Sequence, residues 1–425
     1  MDTLATLLPL AKILGAFTAM LVGIRLRIGL GTSILCGAAL MALFFGLPLA
    51  QWPGVVENAL TNEKTLFLAG IVGLIMALSN TMEKTGQSQR LMDSLASRLR
   101  SPRLRLVFFP ALIGLLPMPG GAVFSAPMVG AVSERMDLDN ADKVILNYWF
   151  RHVWELGWPL YPGIILAASL ADVPIYRLIF WTMPAVPLMM ILGWVFVLRP
   201  GKLRITERPA PAGDAGAHGS ALYEGLPLIT AIAGAIALEA AIGLLLPGMA
   251  FEWGVLAALA AAILCLLAQN GFSLTAMKKT FSGKHLYAML YVIVAIFVFK
   301  ESMQAAGVVD DLARMAGGGV ALFASAVLLP FLVGLISGIN VAFVGATFPL
   351  MLGILANLNM MDQVMPYLVL GQVFGFTGVM ISPIHICFIL TCQYFKVDLG
   401  RAWRRLVVPC VLFALSGAGY FLLIR

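Results

Sequence analysis

The sequence predicts an all-α polytopic membrane protein built as two inverted repeats, each with five transmembrane helices and one re-entrant hairpin. Three observations predict it. The 425 residues are 60% hydrophobic and only 12% charged, against roughly 45–50% apolar and about 25% charged in soluble domains. Apolar runs near 20 residues, long enough to cross a hydrocarbon core of about 30 Å, recur along the whole chain. The order of features also repeats across one polar segment near the middle.

Composition excludes several classes. Short alternating strand-like segments are absent, which argues against an outer-membrane barrel. The net charge of +7 is loop charge with a topological role and does not point to nucleic acid. The five cysteines, Cys36, Cys265, Cys387, Cys392 and Cys410, lie in apolar segments without metal-ligand spacing and read as small buried hydrophobes; no metal site or cofactor is expected. The first apolar run, Leu4 to Val22, follows Asp2 and not a basic region, so no cleavable signal peptide is expected.

Spans are expected near 4–22, 30–49, 65–82, 141–170, 175–198, 224–246, 252–269, 285–303, 363–393 and 405–424. Two apolar regions remain, 106–134 and 320–356. Each is short for two full crossings, and each has a helix-breaking centre: Pro117 to Gly121, and Ser337-Gly338-Ile339-Asn340. Proline removes a backbone donor and costs a helix interior roughly 3 kcal/mol. An apolar arm, a break and a second arm read as a hairpin that enters and leaves on one side. With that assumption, 21 Lys and Arg fall on one side, 6 on the other, and Arg151 within a span. The positive-inside rule makes the rich side cytoplasmic, which places both termini outside, in a multi-pass cell (inner) membrane protein.

Residues 201–222 form a polar, Pro/Gly/Ala-rich cytoplasmic linker between a first repeat, 1–200, and a second, 223–425. At an offset near 220, Leu8-Pro9-Leu10 corresponds to Leu226-Pro227-Leu228, Thr81 to Gly86 corresponds to Ser302 to Gly307, and Pro110 and Gly114 correspond to Pro330 and Gly334. Gly157 and Pro162 fall opposite Gly378 and Pro383 at nearly the same offset. Identity is low, but the shared order is specific: three spans, hairpin, interrupted span, span. Five spans per half is odd, so the second half is inserted upside down. Inverted repeats with broken helices near the midplane are the layout of secondary transporters.

The fourth span, 141–170, is the most polar. It holds Arg151, His152 and Glu155, followed by Pro159 and Pro162. A charge at the bilayer centre costs at least about 2.5–3.5 kcal/mol, so these groups must pair or face a wet cavity. Arg151 and Glu155, spaced i, i+4, could pair on a helix face; that is the structural reading. The functional reading makes Arg151 the anchor of an anionic substrate, since a guanidinium fork matches a carboxylate. Glu155 and His152 are then candidates for coupling or proton carriage. The corresponding broken span, 363–393, supplies Gln372, Thr377, Ser382 and His385 as coupling or gating candidates. The hairpins supply Pro119, Gly120, Gly121 and Ser125, and Ser337, Gly338, Asn340 and Thr347, as substrate-binding candidates. Broken backbone at membrane depth is tolerated only where it is buried or lines a cavity, and its exposed N–H ends attract anions.

The paired hairpins, the broken fourth and ninth spans and the inverted repeat resemble the ion transporter superfamily. The strings "LPMPGGAVFSAP" and "NYWFRHVWELGWPLYPG" are similar to the uncharacterised integral membrane family "domain of unknown function 401" within it. The resemblance implies a homodimer with a scaffold and an elevator-like transport domain. In sodium–dicarboxylate members a Ser-Asn-Thr motif near each hairpin tip binds carboxylates. Here Ser337 and Asn340 are separated by two residues, and the first tip has Pro-Gly-Gly instead.

The expected function is secondary transport of a small organic anion, a carboxylate by class, coupled to Na+ or H+. A channel using the same hairpins is the alternative. An intramembrane enzyme built on His152, Glu155 and His385 is a third reading, and it requires the two histidines to converge.

Overall fold

The computed structural model describes residues 3–96, 99, 101–115, 121–134, 136, 138–199, 220–246, 248–271, 284–308, 311 and 319–425. Among these, regular structure is entirely helical. Eight described helices are long and apolar enough to cross a membrane, from Glu63–Lys84 to Leu399–Ile424. The chain is an all-α, multi-pass membrane protein.

The breaks fall where the sequence is least helical. Helix Pro102–Gly114 and helix Ala122–Ser133 form the first hairpin. Pro119 and Gly120 lie outside the described residues. In the second hairpin, helical backbone from Gly319 to Ser337 turns at Gly338-Ile339 into helix Asn340–Asn357. Gly338 has φ +64°, a left-handed conformation that costs other residues roughly 1–2 kcal/mol. A Cβ there would also sit 3.0 Å from the His385 Cα. The second arm, at 18 residues, is itself long enough to span. Length alone therefore does not make this hairpin re-entrant, because the apolar run extends to Asn357.

Both interrupted spans are broken. Helix Asn140–Arg151 gives way to turns and resumes as Pro162–Ala171; helix Val364–Met380 resumes as Ile386–Phe395. The two resumed helices end alike. Asp172 (φ 57°, ψ 45°) and Lys396 (φ 54°, ψ 47°) are both left-handed C-caps. Val173 and Val397, one residue on, donate back to Ala168 and Cys392. Both segments then re-enter a helix, at Ile175 and at Leu399. Their register is thus 224 residues, 172 to 396, and Pro162 matches Ile386 where the sequence offset places it opposite Pro383. The break is shorter in the second half, and a proline pair could not reveal that.

Packing between the halves is crossed. Helix 162–171 lies on helix 340–357 of the second hairpin, and helix 386–395 lies on helix 122–133 of the first. Helix 364–380 belongs to both large apolar clusters: Met365, Leu368 and Val379 to one, Val369, Val373 and Phe376 to the other. Close van der Waals packing of these side chains, which in lipid takes the place of burial from water, joins the halves around the two breaks.

Ion pairs report sidedness. Arg401 and Arg405 pair with Asp139, and Arg405 also with Asp142; Arg90 pairs with Glu224; Lys64 pairs with Asp172. Each joins residues that the span count places on one face, and Lys64–Asp172 is on the face opposite the others. Two short helices, Trp52–Thr61 and Gln87–Ala96, were not expected. They lie in connections that carry too few apolar residues to register as spans.

Candidate functional site

The first break is built by aromatic donors. Helix 102–114 ends with carbonyls that have no intrahelical partner. Trp154 Nε1 donates to Ala111 O at 2.9 Å, Trp158 Nε1 to Leu115 O at 2.9 Å, and the Tyr161 hydroxyl to Gly114 O. The segment after Arg151 therefore caps the hairpin arm with side chains instead of continuing as a helix. In the second half, Ser382 Oγ donates to Leu335 O at 2.7 Å, at the place equivalent to Trp158 and Leu115. Tyr148 Oη donates to Met380 O at 3.0 Å, so the first broken span also caps the second.

Helix 140–151 stops at Arg151, and residues 152–157 are turns. The expected i, i+4 placement of Arg151 and Glu155 on one helix face is thus corrected. The aromatic caps hold the chain off the helical path just where the charges lie. Arg151 faces the first hairpin: a Cβ on Gly121 would lie 2.4 Å from its Nη2. Only a glycine lets the hairpin backbone come this near the guanidinium.

His152 is held on both sides of its ring. Nδ1 lies 2.6 Å from Tyr148 O, and Nε2 lies 3.1 Å from His385 Nε2. A carbonyl can only accept, so the Nδ1 proton of neutral His152 points there and its Nε2 offers a lone pair. His385 starts helix 386–395, and Cys387 sits in its first turn. One ligand atom from each of His152, His385 and Cys387 lies within 4.8 Å of the others, all three residues buried.

These groups line a cavity of about 360 Å³. Arg151, His152 and Glu155 come from the first break, Gly338 and Asn340 from the second hairpin, and His385 and Cys387 from the second break. Apolar walls come from helices of both halves, including Met76 and Met289. Glu155 Oε2, Asn340 Oδ1 and His385 Nδ1 are buried and have no hydrogen-bond partner among the described residues. Such orphaned atoms are costly unless water, an ion or a ligand reaches them.

The other candidates lie elsewhere. Thr347 and Thr377 bond back to their own helices, at Phe343 O and Val373 O, both 2.7 Å. Ser125 is fully buried, with Oγ 3.5 Å from Gly121 O. Ser337 Oγ accepts from Ile339 N at 3.2 Å and holds the turn. Ser382 ties its break to the hairpin, and Gln372 is buried outside the cavity lining. Tyr161, Gly163 and Cys387 line the cavity and were missed. A lone cysteine in an apolar run gives no signal until the fold brings His152 beside it. Glu239, in helix Ala221–Leu245, accepts from the N–H groups of Ile175 (2.7 Å) and Tyr176 (3.2 Å) and caps the helix that starts there.

Fold and site together define a polytopic helical membrane protein with an ionisable cavity where two broken helices meet. The chain belongs to the family described as "Protein of unknown function (DUF401)", whose model matches residues 6–424. A solved structure similar to it is that of the Alcanivorax borkumensis YdaH transporter, described as having an unusual topology. The two share 16% identity at a TM-score of 0.58, over 88% of this chain and 86% of that one. At this identity the likeness is one of fold. A search of the curated proteins returns no match.

Proposed function

We propose that the protein is a secondary active transporter of a small organic anion, a carboxylate by class, with Arg151 as its anchor. The observation that carries the reading is the cavity itself. A buried guanidinium, two imidazoles and a carboxylate converge there from both halves, in a fold that a known transporter uses. The hairpins are re-entrant in this reading, and movement of hairpins and breaks against the remaining spans alternates access. Coupling is to Na+ or H+, with His152 and Glu155, which line the same cavity, as the coupling candidates. The functional unit is a homodimer with both termini outside.

Counterflow in proteoliposomes tests this. Liposomes loaded with one unlabelled small carboxylate should accumulate the labelled compound transiently and saturably, and a panel of carboxylates would identify the class. Current without saturation or counterflow would mean a channel instead.

The convergence of His152 and His385 at 3.1 Å also meets the geometric requirement of the enzyme reading. That reading expects turnover of a substrate in detergent without a gradient. The transporter reading expects none.

A further inference from the structure

We propose that His152, His385 and Cys387 form a binding site for a transition metal ion of the zinc class. The inference does not rest on anion transport, and it can fail or stand without it. It puts a metal ion between the two imidazoles.

Three observations carry it. The first is the donor set. Two imidazole nitrogens and a thiol sulfur within 4.8 Å of one another match the nitrogen and sulfur preference of zinc and its neighbours, whereas Na+, Mg2+ and Ca2+ prefer oxygen. The second is distance. A tetrahedral ion with metal–nitrogen bonds of about 2.0–2.1 Å holds two nitrogens about 3.3 Å apart. The Nε2 atoms of His152 and His385 are 3.1 Å apart, so the rings need to separate by only a few tenths of an ångström. The third is orientation. The 2.6 Å contact of His152 Nδ1 with Tyr148 O places the proton on Nδ1 and turns the Nε2 lone pair toward the other two ligands. Metal-binding histidines are commonly held by such a backbone carbonyl on the far nitrogen.

All three residues are buried, His152 at 4%, His385 at 6% and Cys387 at 5% exposure. The Cys387 sulfur also lies beside the Arg151 guanidinium. With three protein ligands, a fourth position opens on the cavity that holds Arg151 and Glu155. Open three-ligand sites of this kind accept water or an exogenous anion. On binding, the thiol loses its proton to solvent and coordinates as thiolate.

The test uses the full chain, purified in detergent without a histidine tag, stripped with a chelator and titrated with Co2+. The expected result is about one equivalent bound, with a thiolate-to-cobalt charge-transfer band and tetrahedral d–d bands. Zn2+ should bleach both. Cys387→Ser should lose the charge-transfer band, while Cys392→Ser and Cys410→Ser, buried cysteines outside the cluster, should keep it. Cys387→His retains a ligand and should bind Co2+ without the charge-transfer band, which separates loss of the sulfur from loss of the fold. His385→Ala should weaken Co2+ binding at least about 10-fold. Failure of a monodisperse wild-type chain to bind Co2+ would overturn the proposal and leave a shared proton between the rings. An unchanged spectrum in Cys387→Ser would overturn it equally.

Discussion

The imidazoles of His152 and His385, 233 residues apart in the chain, meet through their Nε2 atoms at 3.1 Å. Each belongs to the break of a different half. The contact exists because Tyr148 of the first broken span donates to Met380 O at the end of the second, which draws the breaks together. The two breaks therefore meet in a buried polar junction beside the apolar clusters, and it is there that substitutions should act on function more than on folding.

Arg151→Gln should abolish stabilisation of the protein by small carboxylates in a thermal-shift assay, and Arg151→Lys should weaken it. A charge-assisted bidentate contact contributes about 2 kcal/mol, or about 30-fold in affinity. Equal carboxylate-induced shifts in wild type and Arg151→Gln would remove Arg151 as the anchor.

Gly121→Ala should act through Arg151. The added methyl would fall 2.4 Å from Nη2, so the guanidinium must move. Carboxylate affinity is expected to fall several-fold while the ligand-free melting temperature changes little, because a side-chain tip yields more readily than backbone. Titration calorimetry of the variant checks this, and undiminished affinity would show that the guanidinium position is not limiting.

Glu239→Gln should destabilise without touching the cavity. The carboxylate caps helix Ile175–Thr182 through two backbone N–H groups. Replacing it with an amide removes the negative charge at a helix N-terminus and leaves a single acceptor atom, at a cost of about 1–2 kcal/mol. The melting temperature should drop by about 1–2 °C, with the carboxylate-induced shift preserved. A drop confined to the ligand-bound protein would contradict the capping role.

Sidedness can be read with a membrane-impermeant thiol reagent. In a Cys36→Ser, Cys265→Ser background, Lys64→Cys should label in intact cells, and Asp139→Cys only after permeabilisation. Each change removes surface ion pairs, worth about 0–1 kcal/mol apiece, so folding should survive. Labelling of both from the same side would break the span count, and the reverse pattern would invert the orientation.

Much of the fold was legible in the sequence. Every expected span coincides with a helix or a broken pair of helices, from Thr3–Arg25 to Leu399–Ile424. Hydrophobic length and proline or glycine breaks are local properties, and the hydrocarbon core enforces them locally. The site was legible in part. Arg151, His152 and Glu155 announce themselves because charge is costly in an apolar run, and all three line the cavity. Thr347 and Thr377 drew attention for the same polarity, yet they bond to their own helices. A hydroxyl can satisfy itself one turn back, which sequence does not distinguish from pointing at a ligand.

The sequence by itself determined the membrane-spanning helices, the places where they break and the charge asymmetry of the loops, since each depends on residues within about 20 positions of one another. Only the tertiary structure decided which breaks meet. It set the 224-residue register of the resumed helices, took Glu155 off the Arg151 helix, put Glu239 on the start of another helix and brought Cys387 beside two histidines. Those outcomes depend on crossed packing between distant halves, through hydrogen bonds such as Tyr148 to Met380 and Ser382 to Leu335. No local pattern encodes such partners, because a backbone carbonyl left open at a break accepts from whichever donor the packing brings to it.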